Sequence, residues 1–538
     1  MRRSAYVVAP LLASAAVALL TGCHQTEPQR CVDEHEHVVD PSFCKNIPSN
    51  GQQPVAGTMA NNGGSIVNGI FIAHMYRYYY GGGGGFGLGS LVSGGGYAPM
   101  PGHSYSTGTT RGGFGSFFSG GGGEGEGGAH GGGSGEYMQR HTLTPRPNWQ
   151  STVEQQGLTF HTPESLPPGA RPYWDESACY EFTAAEVDRL EAAANELQEM
   201  CLAAAQNVID NQRYAELEIP AEAIPMIEWA WNEEPPALYG RFDILWNGEG
   251  PPKLLEYNAD TPTSLLEAAV IQWYWLKDFQ KNSGQIDHRD ADQFSSLHEK
   301  LIAKWKDVAS YLERPVYFAS TAYPEDLLTV AYLRDTAEQA GLQTRQFLME
   351  DIGWNEPRQC FVDTDTAENQ IKSIFKLYPW ETMLEESFAA PMLRTYQEMR
   401  WIEPIWKLLL SNKGILPILW ELYPNHELLL ESHFVTDASG WQPAPGWIRK
   451  PMHSREGSNI TLTTSAGETI ATEGPYTNRL QIDQRLGPET KFPDGTGSQR
   501  YPILGLWMVD QECAGMGIRE DAGPITGNLS SFVPHFFR

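Results

Sequence analysis

A tract of glycines divides this chain and limits where a folded core can form. Residues 81–135 contain 26 of the 54 glycines in the 538-residue sequence. Ordering so many glycines costs more backbone entropy than the few scattered aromatic side chains can offset. We therefore predict that residues 24–145 form a glycine-rich, low-complexity and disordered region. It is either a plain linker or a segment that associates with a surface.

The first 23 residues have the pattern of an export signal. Arg2 and Arg3 precede an apolar run that ends in Leu-Thr-Gly before Cys23. A basic start, a short apolar segment and small residues at the break are typical of secretory signals. The ending is similar to a bacterial lipobox, so we predict that residues 1–23 are a lipoprotein signal peptide and that Cys23 is lipidated. An uncleaved anchor and a chance cysteine are the alternatives, and no later segment is apolar enough for a membrane-spanning helix.

The seven cysteines suggest one disulfide. Cys31 and Cys44 lie close together in the exported-looking region and could be bonded to each other. A zinc site with the nearby histidines is a weaker alternative, because the spacing fits no strong template. The widely spaced cysteines at 179, 201, 360 and 513 are predicted to be buried thiols.

A regular amphipathic pattern lies within the part of the chain that is predicted to fold. Thr183 and Glu186 form a capping-box pattern, and apolar residues follow at helical spacing from Val187 to Val208. Strand-like and helix-like runs alternate from there to the C-terminus, which indicates a mixed α/β (α+β) architecture. The formal charge of −28 argues against nucleic acid or an anionic membrane as the main partner.

Residues 241–260 are the most informative stretch for chemistry. Two β-rich runs flank a Gly/Pro turn, which predicts a hairpin. Because side chains alternate along a strand, Arg241 and Asp243 share one face, as do Glu256 and Asn258. If those faces meet, two carboxylates and an amide offer oxygen ligands for Mg²⁺, and the arginine offers a phosphate clamp. The alternative is an ordinary hairpin with a solvated polar face.

Two polar loops and two lysines extend this chemistry. Residues 260–264 lead into a helix start, where hydroxyl and N–H groups suit an anion, although ordinary capping uses the same residues. Residues 454–459 form a polar, glycine-bearing loop between strands that can cover phosphates through its N–H groups. Lys450 precedes this loop, and Lys413 is a second candidate for phosphate contact. Single lysines are usually solvated, so only their combination with the loops indicates a nucleotide site.

Five sequence blocks occur in one order and support a family resemblance. They are the hairpin with the following Thr-Pro-Thr-Ser, Lys-Leu-Tyr-Pro-Trp-Glu at 376–381, Ser-Asn-Lys at 411–413, Arg-Lys-Pro with Ser-Arg-Glu-Gly-Ser-Asn at 449–459, and Gly-Ile-Arg-Glu-Asp at 517–521. Together they resemble the glutathionylspermidine synthase family, in its stand-alone synthetase-like branch. The resemblance implies an ATP-grasp-like synthetase domain over residues 146–538. The N-terminal part, with Thr-Arg-Gly-Gly-Phe-Gly at 110–115, resembles a glycine-rich bacterial lipoprotein family.

The resemblance implies an ATP- and Mg²⁺-dependent acid–amine ligase. ATP would phosphorylate a carboxylate, and an amine would then displace the phosphate to form an amide, so that catalysis consists mainly of positioning and charge neutralisation. The partners are small-molecule acid and amine substrates, with a polyamine among the candidates. By position, the resemblance assigns Mg²⁺ binding to Asp243, Glu256 and Asn258, contact with the transferred phosphoryl group to Arg241, ATP binding to Lys376, Lys413, Lys450, Ser454 and Gly457, and substrate binding to Ser264, Arg519, Glu325 and Asp326.

The two parts of the sequence point to different compartments. A lipid on Cys23 places the synthetase domain in the cell envelope, on the periplasmic side of a bacterial membrane, whereas ATP chemistry belongs in the cytoplasm. A non-functional signal would leave the chain cytoplasmic. The alternative function is an envelope lipoprotein that keeps the fold as a non-catalytic amine- or peptide-binding module. We predict the ligase, because the full set of charged positions is present in family order.

Overall fold

The structure is a computed structural model that describes residues 138–538 almost continuously. The gaps after residue 138 are 164–165, 167–169, 283, 287–289, 365–368, 437–442, 478 and 528–529. The described residues before it are 3–7, 26–33, 36–39, 44, 64–67, 70–73, 77–80, 91–95, 104–107, 109–110 and 114. Most of the predicted signal peptide, including Cys23, and most of the glycine tract therefore lie outside the described residues.

The N-terminal pieces contain short strands and one disulfide. Cys31 and Cys44 are bonded, with an S–S distance of 2.05 Å, which is the disulfide that the sequence left open. The cysteines at 179, 201, 360 and 513 are buried and form no disulfide, as predicted. The strands are β1 (Thr26–Val32), β2 (Gly64–Val67), β3 (Ile70–Ala73), β4 (Arg77–Tyr80), β5 (Ser104–Thr107) and β6 (Thr109–Thr110).

The long amphipathic helix forms as the sequence predicts. The Thr183 hydroxyl accepts a hydrogen bond from the Glu186 N–H, and the Glu186 carboxylate accepts one from the Thr183 N–H. This capping box opens a helix that buries its apolar face from Val187 to Val208. The α-helices of the described part are α1 (Trp149–Gln155), α2 (Ala184–Asp210), α3 (Ile224–Glu233), α4 (Gln272–Asn282), α5 (Leu297–Val308), α6 (Pro324–Gln339), α7 (Trp380–Glu385), α8 (Ala389–Thr395), α9 (Leu408–Ser411) and α10 (Ile415–Leu422).

Strands from residue 139 onward form several sheets. They are β7 (Gln139–Thr142), β8 (Ala178–Phe182), β9 (Tyr239–Leu245), β10 (Lys253–Asn258), β11 (Val316–Ser320), β12 (Thr344–Leu348), β13 (Ile352–Asn355), β14 (Cys360–Asp363), β15 (Asn369–Gln370), β16 (Ser373–Leu377), β17 (Arg400–Ile402), β18 (Ser432–Phe434), β19 (Trp447–Pro451), β20 (Thr461–Thr463), β21 (Thr469–Ala471), β22 (Gln481–Arg485), β23 (Phe492–Pro493), β24 (Gln499–Val509), β25 (Glu512–Asp521), β26 (Ser531–Val533) and β27 (His535–Phe537). Strands and helices alternate along the chain, so the predicted mixed α/β architecture is confirmed.

Three sheets carry the candidate site. An antiparallel sheet of order β10-β9-β24-β25-β26 holds the predicted hairpin at one edge. A parallel sheet of order β12-β11-β16-β17 has two inner strands, β11 and β16, that are buried along their whole length, as is typical of parallel sheets. A third, antiparallel sheet of order β18-β22-β19-β20-β21 carries the polar loop after β19. Two large apolar clusters pack between these sheets and the helices.

One described part of the glycine tract departs from the prediction of an unpacked region. Strand β6 pairs antiparallel with β13, and the Phe114 side chain is fully buried in the larger apolar cluster. Burial of this aromatic ring and the strand pairing together oppose the entropy cost of ordering these few residues. In the part of the chain that the structure describes, no helix is long and apolar enough to cross a membrane.

Candidate active site

The two strands of the hairpin bring the four predicted polar side chains together. Strands β9 and β10 are antiparallel, with Glu256 opposite Asp243 and Asn258 opposite Arg241, and a bulge lies between Leu254 and Glu256. The Arg241 guanidinium donates to both oxygens of Asp243, at 2.7 and 3.1 Å. The Asn258 amide donates to Asp243 and to Glu256, each at 3.2 Å. The alternative of an ordinary solvated hairpin face is therefore wrong.

Two lysines from other elements converge on the same carboxylates. Lys413 Nζ lies 2.8 Å from Glu256 Oε2 and donates to the Ser454 carbonyl oxygen at 2.6 Å. Lys450 Nζ donates to the Gln484 side chain at 2.7 Å. Burial would raise the pKa of Glu256, but Lys413 and Lys450 outweigh it and hold that pKa at about 2. Burial lowers the pKa of Lys450 to about 8, although Glu256 opposes the shift.

The charges of this cluster do not cancel. Arg241, Lys413 and Lys450 are cations, and they surround the two carboxylates of Asp243 and Glu256. With all groups ionised, one positive charge remains. A partly buried cluster with excess positive charge favours an anionic ligand, because charges interact more strongly in this environment than in water.

A small, partly open polar cleft lies beside the cluster. Its walls include Asn258, Lys413 and Ser454 from the predicted set. Two further lining groups, Ser411 Oγ and Glu381 Oε2, are buried and have no hydrogen-bond partner among the described residues. Buried polar atoms are normally satisfied, so these two indicate that the cleft accepts a polar ligand or water.

The loop after β19 needs glycine at one predicted position. Gly457 has φ of +69°, and a Cβ atom there would collide with the Thr526 carbonyl oxygen. Ser454, which begins the loop, is buried and donates its hydroxyl to the Pro451 carbonyl oxygen at 3.1 Å. The loop is therefore closely packed, with its first residue at the cleft.

Lys376 forms a different contact from the lysines of the cluster. It lies on buried strand β16 and pairs with Asp260, and both side chains are fully buried. Asp260 also accepts a hydrogen bond from the Trp380 N–H at 3.0 Å, and the Lys376 ammonium lies 4.5 Å from the centre of the Trp380 ring. Burial opposes both charges, so it lowers the pKa of Lys376 and raises that of Asp260.

A second polar cluster forms around Ser264. The Ser264 hydroxyl lies 2.9 Å from the Tyr173 hydroxyl and donates to Glu325 at 3.4 Å. Arg519 donates to the Ser264 hydroxyl at 3.3 Å, and its guanidinium lies 5.2 Å from the Tyr173 ring centre. The Arg241 guanidinium reaches the loop before Ser264 by donating to the Thr263 carbonyl oxygen at 2.7 Å. The hairpin cluster and the polar cluster around Ser264 are therefore adjacent.

Acidic side chains concentrate in and beside this cluster. Glu325 and Asp326 occupy the first turn of α6, and Glu267 accepts a hydrogen bond from Tyr173 at 2.7 Å. Burial raises the pKa of Asp326 to about 7, with a further contribution from Glu325, although a hydrogen bond from Thr321 opposes the shift. Burial and the nearby Glu325 likewise raise the pKa of Glu267 to about 7. Carboxylates held close together in this way favour a cationic ligand.

The hairpin offers a donor set that fits Mg²⁺. Oxygen ligands from two carboxylates, completed by substrate and water oxygens, are typical of magnesium sites. The Asn258 amide contacts both carboxylates, and a half-turn of its amide presents the oxygen in place of the nitrogen. Among the described residues, no group of three or more His, Cys, Asp or Glu side chains is placed to hold a metal. The predicted set has only two carboxylates, so Mg²⁺ binding stays a prediction.

Several residues of the cleft and of the cluster around Ser264 were not in the predicted set. Arg455 donates to Glu381 at 2.6 Å and to the Thr261 hydroxyl at 2.7 Å, so it joins the cleft to the loop after the hairpin. Arg455, Glu381 and Thr261 all lie within the sequence blocks of the family resemblance, and this position in the blocks was the signal that could have identified them. Glu267 lies three positions after the Thr-Pro-Thr-Ser block. Tyr173 lies far from every motif, and nothing in the sequence indicated its role.

Residues 140–538 match the family described as glutathionylspermidine synthase preATP-grasp. The chain belongs to this family. A protein of Haemophilus influenzae, provisionally named acid–amine ligase, is 39% identical over 406 residues, which are 74% of this chain and 100% of that protein. The trypanothione synthetase of Crithidia fasciculata is 31% identical over 360 residues, which are 62% of this chain and 52% of that protein.

A further relative in the glutathionylspermidine synthase family is bifunctional. The glutathionylspermidine synthetase/amidase of Escherichia coli K12 is 28% identical over 381 residues, which are 66% of this chain and 58% of that protein. The chain thus spans little more than half of the two longer relatives. All three relatives are named as ligases or synthetases, which confirms the prediction of an enzyme of the carbon–nitrogen ligase class.

Proposed function

We propose that this chain is an ATP- and Mg²⁺-dependent acid–amine ligase. In the proposed reaction, an oxygen of the acid substrate attacks the terminal phosphorus of ATP and ADP leaves. The amine nitrogen then attacks the acyl-phosphate carbon, and phosphate departs as the amide bond forms. The observation that carries the proposal is the cationic cluster of Arg241, Lys413 and Lys450 around two carboxylates beside a polar cleft.

Each member of the cluster has a proposed task. Lys413 and Lys450 bind the phosphates, with the Ser454–Gly457 loop closing over them. Arg241 contacts the transferred phosphoryl group, since its bidentate geometry matches phosphate oxygens. Asp243, Glu256 and Asn258 would hold Mg²⁺, which when bound supplies charge neutralisation for the phosphates.

Lys376 has an indirect task in this proposal, because it is paired with Asp260. Through this pair and the Trp380 backbone it fixes the start of the loop that follows the hairpin. A direct contact between Lys376 and ATP would require this pair to open.

The polar cluster around Ser264 has groups that suit the acid and amine substrates. Arg519 and the Ser264 hydroxyl offer hydrogen-bond donors to a carboxylate, and they lie beside Arg241 through the loop at Thr263. Glu325 and Asp326 offer the negative charge that an ammonium or polyamine group requires. Because burial holds the pKa of Asp326 at about 7, this carboxylate can take up the proton that the amine loses as it attacks.

A substrate screen tests the proposed function directly. The full chain is incubated with ATP, Mg²⁺ and paired panels of carboxylic acids and amines, including glutathione and spermidine, and ADP and amide products are measured by mass spectrometry. ADP formation that requires both an acid and an amine supports the ligase. Amine binding without nucleotide binding at any Mg²⁺ concentration would instead support the non-catalytic binding module.

We also propose that Cys23 carries a lipid and anchors the chain to the cell envelope. The Leu-Thr-Gly-Cys ending and the Cys31–Cys44 disulfide, which suits an oxidising compartment, support this location. Contacts of the first residues support the cytoplasmic alternative, since the Ser4 N–H donates to the Ser295 carbonyl oxygen and Val7 is buried. A cleaved chain would lack those contacts.

Labelled palmitate and mass spectrometry of the mature N-terminus distinguish the two locations. Incorporation that Cys23→Ser abolishes supports the anchor. An intact, unlabelled N-terminus would show that the chain keeps residues 3–7 and would contradict the lipid anchor.

A further inference from the structure

The glycine tract contributes one segment to the surface of the ligase unit. Backbone pairing places Thr110 opposite Trp354 and Thr109 opposite Asn355, so β6 is the outer strand of the sheet β15-β14-β13-β6. Without β6, strand β13 would be an open edge with unpaired N–H and C=O groups. Such edges are natural acceptors for an added peptide strand.

A single aromatic side chain anchors the segment. The Phe114 ring lies 6.1 Å from that of Phe361, 5.4 Å from that of Phe388 and 6.4 Å from that of Trp401, and it is fully buried. The rings of Phe388 and Trp401 meet it edge-on, which is a favourable geometry for aromatic pairs. We name the site formed by the β13 edge, Phe361, Phe388 and Trp401 the aromatic recess.

The recess lies in the part of the chain that matches the family, whereas the segment that fills it lies outside that match. The family match begins at residue 140, after Phe114, and glycines fill 12 of the 23 positions from 115 to 137. Among the described residues, the strand pairing and the Phe114 anchor hold the segment on the recess.

We propose that the aromatic recess is a peptide-docking site, which recognises a short strand followed by a phenylalanine, and that Thr109, Thr110 and Phe114 occupy it in this chain. Strand pairing supplies register and the aromatic pocket supplies specificity, as in other cases of strand addition. The tether gives the segment an effective concentration in the roughly millimolar range, so it excludes the same peptide added from solution.

Cleavage by trypsin tests the docking within the full chain. Arg111 is the only Lys or Arg between Arg77 and Arg140 in the sequence, so cleavage there reports on this segment alone. We expect trypsin to cut slowly at Arg111 in the wild type, because strand β6 and Phe114 anchor the chain on either side of it. Phe114→Ala is expected to accelerate cleavage at Arg111 at least tenfold, whereas the matched control Phe117→Ala leaves the rate unchanged. Equal rates in the wild type and Phe114→Ala would overturn the proposal.

Recognition in trans is the second test. A labelled peptide of residues 104–118 should bind the full-length Phe114→Ala protein at least tenfold more tightly than the wild type, whose recess is filled. The same peptide with alanine in place of Phe114 should not bind. Binding that is indifferent to this phenylalanine in the peptide would contradict the proposed recognition.

If Phe114→Ala fails to fold, hydrogen exchange in the wild type tests whether the segment docks on the aromatic recess. The amides of residues 109–110 and of 353–355 should exchange at least tenfold more slowly than those of an unstructured chain. Exchange of residues 109–110 at the unstructured rate would refute docking.

Discussion

The pair between Lys413 and Glu256 gives the sharpest quantitative prediction. Glu256→Gln removes the carboxylate, 2.8 Å from Lys413 Nζ, and leaves a side chain of the same shape. The two lysines hold the pKa of Glu256 at about 2, below its ordinary value of 4.5. That difference corresponds to roughly 3 kcal/mol of favourable interaction with the ionised form. We therefore expect the substitution to lower the free energy of unfolding at pH 7 by up to this amount.

The sign of the pH dependence follows from the lowered pKa. Because the folded-state pKa lies below the unfolded value, the stabilisation is complete above about pH 4.5 and is lost as the pH falls towards 2. At pH 4 the difference between the wild type and Glu256→Gln should be about 1 kcal/mol smaller than at pH 7. Unfolding entropies of about 2 cal/mol/K per residue, over about 400 residues, convert 3 kcal/mol to roughly 4 °C in Tm.

Thermal unfolding followed by fluorescence at pH 7 and pH 4 measures this difference. Glu489→Gln is the matched control, because Glu489 pairs with Lys491 at 2.6 Å on the surface, where ion pairs contribute little. The control should leave Tm unchanged at both pH values. An unchanged Tm for Glu256→Gln at pH 7, or a Tm loss larger at pH 4 than at pH 7, would refute the reasoning.

Three further outcomes are expected. Glu267→Gln should raise Tm above that of the wild type at pH 8.5 but not at pH 5. The reason is that burial raises the pKa of Glu267 to about 7, so that wild-type stability falls as the pH rises through that value. An unchanged Tm at pH 8.5 would contradict this prediction. Arg241→Lys keeps the positive charge but loses the two hydrogen bonds to Asp243. The kcat for ADP formation should therefore fall by roughly 100-fold, with a smaller change in KM. An unaltered kcat would exclude Arg241 from phosphoryl transfer. Chelation of Mg²⁺ by EDTA should abolish ADP formation, and excess Mg²⁺ should restore it; activity that persists in EDTA would remove Asp243 and Glu256 from the proposed metal site.

Local patterns allowed a large part of the site to be predicted. Turn residues and side-chain alternation in residues 241–260 predicted the hairpin and which side chains share a face. The capping box at Thr183 depends on residues three positions apart, and it formed as expected. Such features were accessible because they depend on backbone periodicity over a few residues.

Contacts between distant segments were not accessible in the same way. Lys376 resembled a free active-site lysine, but burial beside Asp260 makes it a paired group. Tyr173 gained its place beside Ser264 only through the packing of the sheets. Composition was misleading at Phe114, because an average over many glycines hides one side chain that buries its whole surface.

The sequence by itself determined the hairpin, the capped helix and the family resemblance. These follow from residue spacing and motif order. Only the tertiary structure decided that Lys413 pairs with Glu256, that the charge of Lys450 also acts on it, and that Phe114 reaches the ligase unit. These outcomes depend on where separate strands lie in space, and the free energy that holds them there comes from burial and from charge pairs between residues far apart in the chain.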